Sequence, residues 1–542
     1  MLRAYTAVAV RVAEQPLLDA GHGPALMRRA AYGLALGVVS VLRSRGQRVY
    51  GSRAVLLIGS GNNGGDALYA GAYLASRGVR ATALLASERT HPDALAAFIK
   101  AGGRSMNMPL PATVPASSPG QAPPSYPARG EGAQQAFLAE ADSADVIVDG
   151  LLGTGGHGGL QGPVAAVVAQ LCEIVAGVDG PAVVACDLPS GVNATTGEVM
   201  SPVLPADLTV TFGAAKTGLL TAPAEQLCGT VAVVDIGITE FLGDADVLRL
   251  ESCDVAKLLP RPVAADHKYT RGVAGIVAGS ARYPGAGLLA VSASSACGPG
   301  MVRYLGAPEV CAAIHVRNPE VVCSQEFPTN VRVQAWLVGP GIDGDDDALR
   351  RAREAMDSGV PTVVDAAALA LLGSGRPTEK PEAATGGAGS PHNTQLVLTP
   401  HAGELSSLFA RHGIAKSRAE IEAAPLAAAR LAARVTGSTV LLKGPTTVVA
   451  APSGRVFTQA DGAPSLATAG SGDTLAGILV ALLAMRAERP HLEGLDGGAA
   501  DTLAITAALA AVLHGRLAQD DAPLNAGQLA ARIPAIWAGL AH

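Results

Sequence analysis

One pattern governs this chain: a short aliphatic or β-branched run, a glycine-rich turn, then a segment rich in Ala and Leu. AVLLI (54–58) leads into GSGNNGGD (59–66) and on into ALYAGAYLASRG (67–78). ATALLA (81–86), DVIVDGLLG (145–153), AVVACDLPSG (182–191) and LTVTFG (208–213) are predicted as further buried strands. Uninterrupted apolar runs between helical segments suit a parallel sheet covered on both faces, because such strands bury both their sides. PALMRRAAYGLALGVVSVL (24–42) has helical spacing and is expected to pack on that sheet.

The pattern starts again after a cluster of charges near 245–262, with HKYTRGVAGIVAGS (267–280). Strands are predicted at AWLVG (335–339), TVVDA (362–366), LVLTP (396–400) and TVLLKG (439–444). The halves share a layer grammar but no motifs, so two α/β domains are expected, 1–245 and 250–542. Residues 109–133 and 373–394 are rich in Pro, Gly, Ala and Ser and are expected to be solvated loop insertions without chemistry.

Composition narrows the function classes. Hydrophobic residues are 49% and charged residues 16% of the 542, enough apolar surface for large cores and too little charge for a disordered chain. A formal net charge of −6 gives no footprint for nucleic acid or an anionic membrane, and neither is expected as a partner. The seven cysteines, at 172, 186, 228, 253, 297, 311 and 323, include no CxxC pair. They read as scattered core thiols in a reducing compartment, and a cytoplasmic location is expected. Arg11 and Glu14 interrupt the first apolar run, so no signal peptide is expected, and LAGILVALLAM stops at Arg486, short of a membrane span.

In the first domain Gly59, Gly61 and Gly64 satisfy GxGxxG between a predicted strand and helix, where bare backbone approaches a ligand at the positive helix end. The pattern alone is weak, since a tight βα turn uses the same glycines. Asp66 adds a carboxylate that would repel a pyrophosphate, so the loop suits ribose hydroxyls, amides or a cation; its bland role is a helix-start residue. Asp149 ends one strand before the loop 153–159, and Asp187-Leu-Pro-Ser190 follows another. A lone strand-end carboxylate is commonly a turn residue. Converging carboxylates, an amide and a hydroxyl, with no His or Cys, suit a hard cation such as Mg²⁺ or an alkali ion.

GNNGGD, DGLLGTG, DLPSGVNATTGEV and ADLTVTFGAAKTGL, in that order, resemble the NAD(P)H-hydrate epimerase (YjeF N-terminal) family over roughly residues 5–240, a Rossmann-like three-layer fold. The resemblance implies a potassium ion held by Asn63, Asp149 and Ser190. It implies that Asn62, Asn63, Gly64, Gly65, Asp66, Gly153, Thr154, Gly155, Gly156, His157, Gly158, Gly159 and Asp187 contact the hydrated nicotinamide nucleotide. Asp187 is the expected acid/base for epimerisation at the C6 hydroxyl. Ala67 stands where the family usually carries a glycine, and its methyl is expected to narrow the pocket.

In the second domain ATAGSGDTLAGILVALL (467–483) is the strongest local signal. Gly470-Ser471-Gly472 offers unencumbered N–H groups at a helix start, an anion hole by geometry. Asp473 follows at once, placed to take a proton from a hydroxyl while those N–H groups stabilise a transferring phosphoryl. Its bland role is a helix-start residue in a glycine-rich turn. LLKGPTTVV (441–449) carries Lys443 and two threonines apt for phosphates. TPHAGEL (399–405) carries His401 and Glu404, with helix capping by Thr399 and Glu404 as the bland reading.

HKYTRG, GSARYPGAG, GPG, TPHAGEL, LKGPTT and GSGD together resemble the ADP/ATP-dependent NAD(P)H-hydrate dehydratase family, of ribokinase-like fold, across about residues 250–540. The resemblance implies Ala286, Gly341, His401 and Asp473 on the hydrate. It implies Lys443, Gly444, Pro445, Thr446, Thr447 and Gly472 on the adenine nucleotide, with Asp473 as catalytic base. ADP, with Mg²⁺, is the expected phosphoryl donor. Asp343 and Ala367 depart from the family pattern, and 343–347 is unusually acidic.

Both resemblances together match the bifunctional NAD(P)H-hydrate repair family, whose small-molecule substrates would be hydrated NADH and NADPH with ADP; a homo-oligomer is expected. Two rivals are a ribokinase-like vitamin or sugar-alcohol kinase, which would leave GNNGGD idle, and a non-catalytic nucleotide-binding protein.

Overall fold

The computed structural model describes residues 1–87, 89–107, 131–156, 158–373, 395–487, 498–519 and 523–540. The chain divides into two compact units, Arg3–Asp246 and Val247–His542 with Met1–Leu2. Residues 109–130 and 374–394 of the two expected insertions lie outside the described residues, and residues 131–133 open the helix Glu131–Asp142 instead of ending a loop.

The unit Arg3–Asp246 is built on seven parallel strands: Arg53–Ile58, Arg80–Leu85, Arg104–Asn107, Val146–Gly150, Ala182–Cys186, Leu208–Phe212 and Thr230–Val234. Counted in chain order they lie 3-2-1-4-5-6-7. The order reverses between the first and fourth strands, and ligands bind outside the strand ends at such a crevice. The first strand shows the layers directly. Leu56 and Ile58 pack into one core with Leu34, Val38 and Leu42 of the helix Gly23–Ser44. Val55 and Leu57 pack into another with Val167 and Leu171 of the helix Gly162–Val175. Five strands and the helix match the sequence expectation. The edge strands Arg104–Asn107 and Thr230–Val234 escape it, because their half-exposed residues carry no continuous apolar run. By length and composition alone Gly23–Ser44 could cross a membrane; its Leu34, Val38 and Leu42 are fully buried here.

The unit containing Val247–His542 carries ten strands. Val322–Ser324, Met301–Leu305, Val273–Val277, Ala335–Val338, Thr362–Val364, Leu396–Leu398 and Thr439–Leu442 run parallel in that spatial order. Thr447–Ala450 and Val456–Gln459 continue the sheet antiparallel, and Val247–Arg249 pairs with the last of them. The order reverses at Val273–Val277, beside Ala335–Val338. One large core joins Ala274 and Leu337 of the sheet to the helices Pro284–Ala296, Ser471–Arg486 and Ala499–Arg516. The small residues of Ser471–Arg486 have a packing reason: a side chain at Gly477 would collide with the Ala290 carbonyl of the neighbouring helix.

All seven cysteines are unpaired. Cys186, Cys228 and Cys297 are buried, whereas Cys253 is exposed, so not all are core thiols.

Candidate active sites

In the first unit the loop after Arg53–Ile58 turns straight into the helix Asn62–Ser76. Side chains at Gly59 or Gly64 are excluded, because a Cβ would strike the Leu151 or Gly59 carbonyl oxygen. This close approach buries Asn63, Gly64, Gly65 and Asp66 and leaves Asn62 exposed. The Ala67 methyl does not narrow a pocket: it is fully buried in the core, against Gly150.

Asp187 follows Ala182–Cys186 in the left-handed region, φ 68°, a conformation that aspartate tolerates better than most residues. It is 6% exposed and fully bonded. Lys216 Nζ donates to its Oδ1 at 2.6 Å, Thr211 Oγ1 donates to the same oxygen at 3.1 Å, and the Thr154 N–H donates to Oδ2 at 3.2 Å. Lys216 itself is 2% exposed, and its ammonium also donates to Thr211 Oγ1 and the Phe212 carbonyl, both at 2.9 Å. Burial alone would raise the Asp187 carboxyl; the Lys216 charge and the surrounding donors hold it below its ordinary value. Asp66 is the opposite case. Burial, then the Asp187 and Glu14 charges, push its carboxyl well above the usual range, and its Oδ1 is buried without a hydrogen-bond partner.

Beside this pair lies a second oxygen cluster. Asp149 Oδ1 accepts from Ser190 Oγ at 2.6 Å and Oδ2 from the Ser190 N–H at 2.8 Å. The Asn63 amide is buried, its Nδ2 has no partner, and its Oδ1 lies 3.0 Å from where a Cβ on Gly153 would stand. The carboxylate, hydroxyl and amide oxygens suit a hard cation in donor chemistry, whereas the unpartnered Asn63 Nδ2 is a donor that would face an acceptor and not the ion. Of the predicted loop, Thr154 reaches Asp187, and a side chain at Gly159 would crowd Met200; His157 lies outside the described residues. Sequence reasoning missed Lys216, Thr211 and Glu14. The Lys216 signal was present as AAKTG after a strand, but nothing in the sequence says that its ammonium turns back to Asp187.

In the second unit the helix Ser471–Arg486 starts from Gly470 at φ 89°. Asp473 stands in its first turn, and the Lys443 Nζ would be 3.5 Å from a Cβ on Gly472. That lysine ends Thr439–Leu442 and donates to Asp365 Oδ1 at 2.9 Å, with Glu404 Oε2 at 3.8 Å. Asp365, 2% exposed, also accepts from Thr399 Oγ1 at 2.7 Å. Burial, then the Asp365 charge, push the Asp473 carboxyl up to about 6, against the pull of Lys443. Ser471 meets the half-buried His514, Oγ to Nε2 3.0 Å, and desolvation pushes that imidazole down to about 4.

His401 caps the helix Ala402–Arg411: its Nδ1 accepts from the Gly403 and Glu404 N–H groups at 3.0 and 3.2 Å, while Glu404 accepts from the His401 N–H. Capping therefore does involve Glu404, but with His401 as the cap and Thr399 bonded to Asp365. A backbone bridge sets His401 beside Lys443, and the exposed ring's Nε2 lies 3.7 Å from Glu404 Oε2. Gly444 and Pro445 form an exposed turn, and Thr446 is buried beside it. Gly341, φ 67°, and Ala286 meet at the reversal of the strand order: a Cβ on Gly341 would lie 2.7 Å from the Ala286 Cβ. Asp343 lines an adjoining cavity of about 400 Å³ with Asp347 and Arg351, while Asp345 caps the helix Asp346–Met356. Ala367 is exposed, and the strand-end carboxylate is supplied by Asp365. Asp365 and His514 were missed by sequence reasoning; Asp365 stood in VVDA without a visible partner.

Comparison with known proteins adds the following. The family model described as YjeF-related protein N-terminus matches residues 23–218, and the one described as NAD(P)H-hydrate dehydratase matches residues 274–534. The bifunctional NAD(P)H-hydrate repair enzyme Nnr of Mycobacterium tuberculosis is 40% identical over 488 residues, 89% of each chain. The enzyme of the same name from Mycobacterium leprae is 39% identical over 481 residues, again 89% of each chain. A solved structure of the ADP/ATP-dependent NAD(P)H-hydrate dehydratase from Bacillus subtilis matches at 25% identity and TM-score 0.44, covering 54% of this chain and 99% of that one.

Proposed function

Because the chain belongs to the family of bifunctional NAD(P)H-hydrate repair enzymes, we propose that its units catalyse successive steps on one damaged cofactor. Residues 1–245 interconvert the R and S epimers of hydrated NADH and NADPH. Residues 250–542 dehydrate the S form, with ADP as donor, to NAD(P)H, AMP and phosphate. The observation that carries the reading is that each unit sets a lysine on a buried strand-end carboxylate, Lys216 on Asp187 and the half-buried Lys443 on Asp365, beside a second carboxyl of raised pKa.

In the first unit the ionised Asp187 is the acid/base at the C6 hydroxyl, and the 62–66 and 153–159 backbone orients the nucleotide. Asn63, Asp149 and Ser190 would hold a potassium ion, which supplies positive charge beside the phosphate-bearing substrate. In the second unit Ala286, Gly341 and His401 face the hydrate, while Lys443 to Thr447 and Gly472 face the nucleotide, whose phosphates carry Mg²⁺. Asp473 takes the proton of the C6 hydroxyl as its oxygen attacks the terminal phosphoryl of ADP and AMP departs. Phosphate then leaves with the C6–O electron pair, and loss of a C5 proton to solvent restores the C5=C6 double bond of the reduced ring; hydroxide is a poor leaving group and phosphate a good one. The enzyme is expected to work in the cytoplasm as a homo-oligomer on small molecules only.

The test is recovery of the reduced-ring absorbance from a mixture of NADH-hydrate epimers, with ADP and ATP in parallel and with or without potassium. Full recovery with ADP, slower for the R fraction without potassium, is expected. No recovery with either nucleotide would sink the assignment.

A further inference from the structure

Asp66 contrasts with Asp187 in chemistry and lies close enough to feel its charge. It is 8% exposed, and its Oδ1 is buried with no hydrogen-bond partner. The charged groups that reach it are Asp187, Glu14 from the helix Ala7–Asp19, and Lys216; the buried Cys186 thiol lies nearby, and His91 packs against the adjacent Gly65. Lys216 cannot neutralise Asp66, because all three bonds it makes are to Asp187, Thr211 and Phe212. A buried carboxyl without a cation of its own is stable as the neutral acid. The site thus sets one neutral carboxylic acid beside one ionised carboxylate, the usual mark of an acid and a base with separate tasks.

We propose that Asp66 is the proton-carrying partner of Asp187 in the epimerisation. The inference rests on the epimerase reading of this unit. The Asp66 O–H gives its proton to the C6 hydroxyl oxygen. The C6–O bond breaks with its electron pair on oxygen, water leaves, and the ring-nitrogen lone pair forms the C=N bond of an iminium. A water then adds to the other face of C6, Asp187 takes its proton, and return of that proton to Asp66 restores both groups. Nothing is oxidised or reduced.

The experiment follows epimer exchange of NADH hydrate by NMR with the full chain and no ADP, spontaneous exchange being subtracted. Asp66→Asn is expected to lower kcat at least about 100-fold, with KM moved less than about threefold. The wild-type rate should fall as pH rises through the Asp66 pKa, and Asp66→Glu should restore activity with that alkaline limb displaced. ADP-driven dehydration of S hydrate should stay unchanged in both variants. If Asp66→Asn loses the melting transition of its unit, Asp66→Glu decides: a displaced limb supports the pairing and an unmoved one overturns it. Exchange at the wild-type rate in a folded Asp66→Asn overturns the pairing alone. No acceleration by the wild type overturns the epimerase reading and the pairing with it.

Discussion

Lys216 and Lys443 perform the same electrostatic task in separate folds. Each commits its ammonium to a buried carboxylate, at 2.6 Å in Asp187 and 2.9 Å in Asp365. Removing one partner of a buried pair strands the other charge, at a cost of about 3–5 kcal/mol. Lys216→Met should therefore lower the unfolding free energy of its unit by that amount, and its denaturation midpoint with it, at neutral pH. The sign follows from Asp187, whose folded pKa is held down: the pair stabilises above the ordinary carboxylate range and its contribution fades as pH falls through the lowered value. Wild type and variant should thus converge in acid, and equal midpoints at neutral pH would refute the pair's role. Asp365 acts on Asp473 in the other direction, raising it. As a base Asp473 must be ionised, so dehydration kcat/KM should fall as pH drops through about 6. In Asp365→Asn that limb should move to lower pH, measured from the rate profile with saturating ADP. At this scale the sequence showed Asp66, Asp187 and Asp473 through their glycine-rich settings. Lys216 and Asp365 were invisible because their meaning lies in a partner 29 and 78 residues away.

Among elements, what the sequence made legible is what both faces of a sheet enforce. Arg53–Ile58 and Ala182–Cys186 are buried on both sides and read as continuous apolar runs. Arg104–Asn107 is an edge strand with mostly exposed residues, so no periodic signal marks it. Thr447–Ala450 and Val456–Gln459 were missed for another reason: the preceding parallel strands give no hint that the sheet ends antiparallel. The turns carry the specificity. Gly341 has a positive φ and faces the Ala286 Cβ, so Gly341→Ala strains the backbone and fills the crevice at once. It should raise KM for the S hydrate at least about tenfold, as expected for about 1.4 kcal/mol or more of lost binding, while KM for ADP stays within about twofold. A matched rise in both would place Gly341 outside the hydrate side.

For the molecule as a whole, the two-unit organisation was legible because a charged junction separates two runs of strand, turn and helix, and the units divide between Asp246 and Val247. The chemistry of the account is sequential: the first unit supplies the only epimer that the second consumes. The most direct measurement is the time course of reduced-ring recovery from a mixture of both NADH-hydrate epimers with ADP, in wild type, Asp187→Asn and Asp473→Asn. The wild type should recover both epimers. Asp187→Asn should recover the S fraction at the wild-type rate and then continue only as fast as spontaneous epimerisation, and Asp473→Asn should recover neither. Recovery of both epimers at the wild-type rate by Asp187→Asn, or any enzymatic recovery near that rate by Asp473→Asn, would contradict the account.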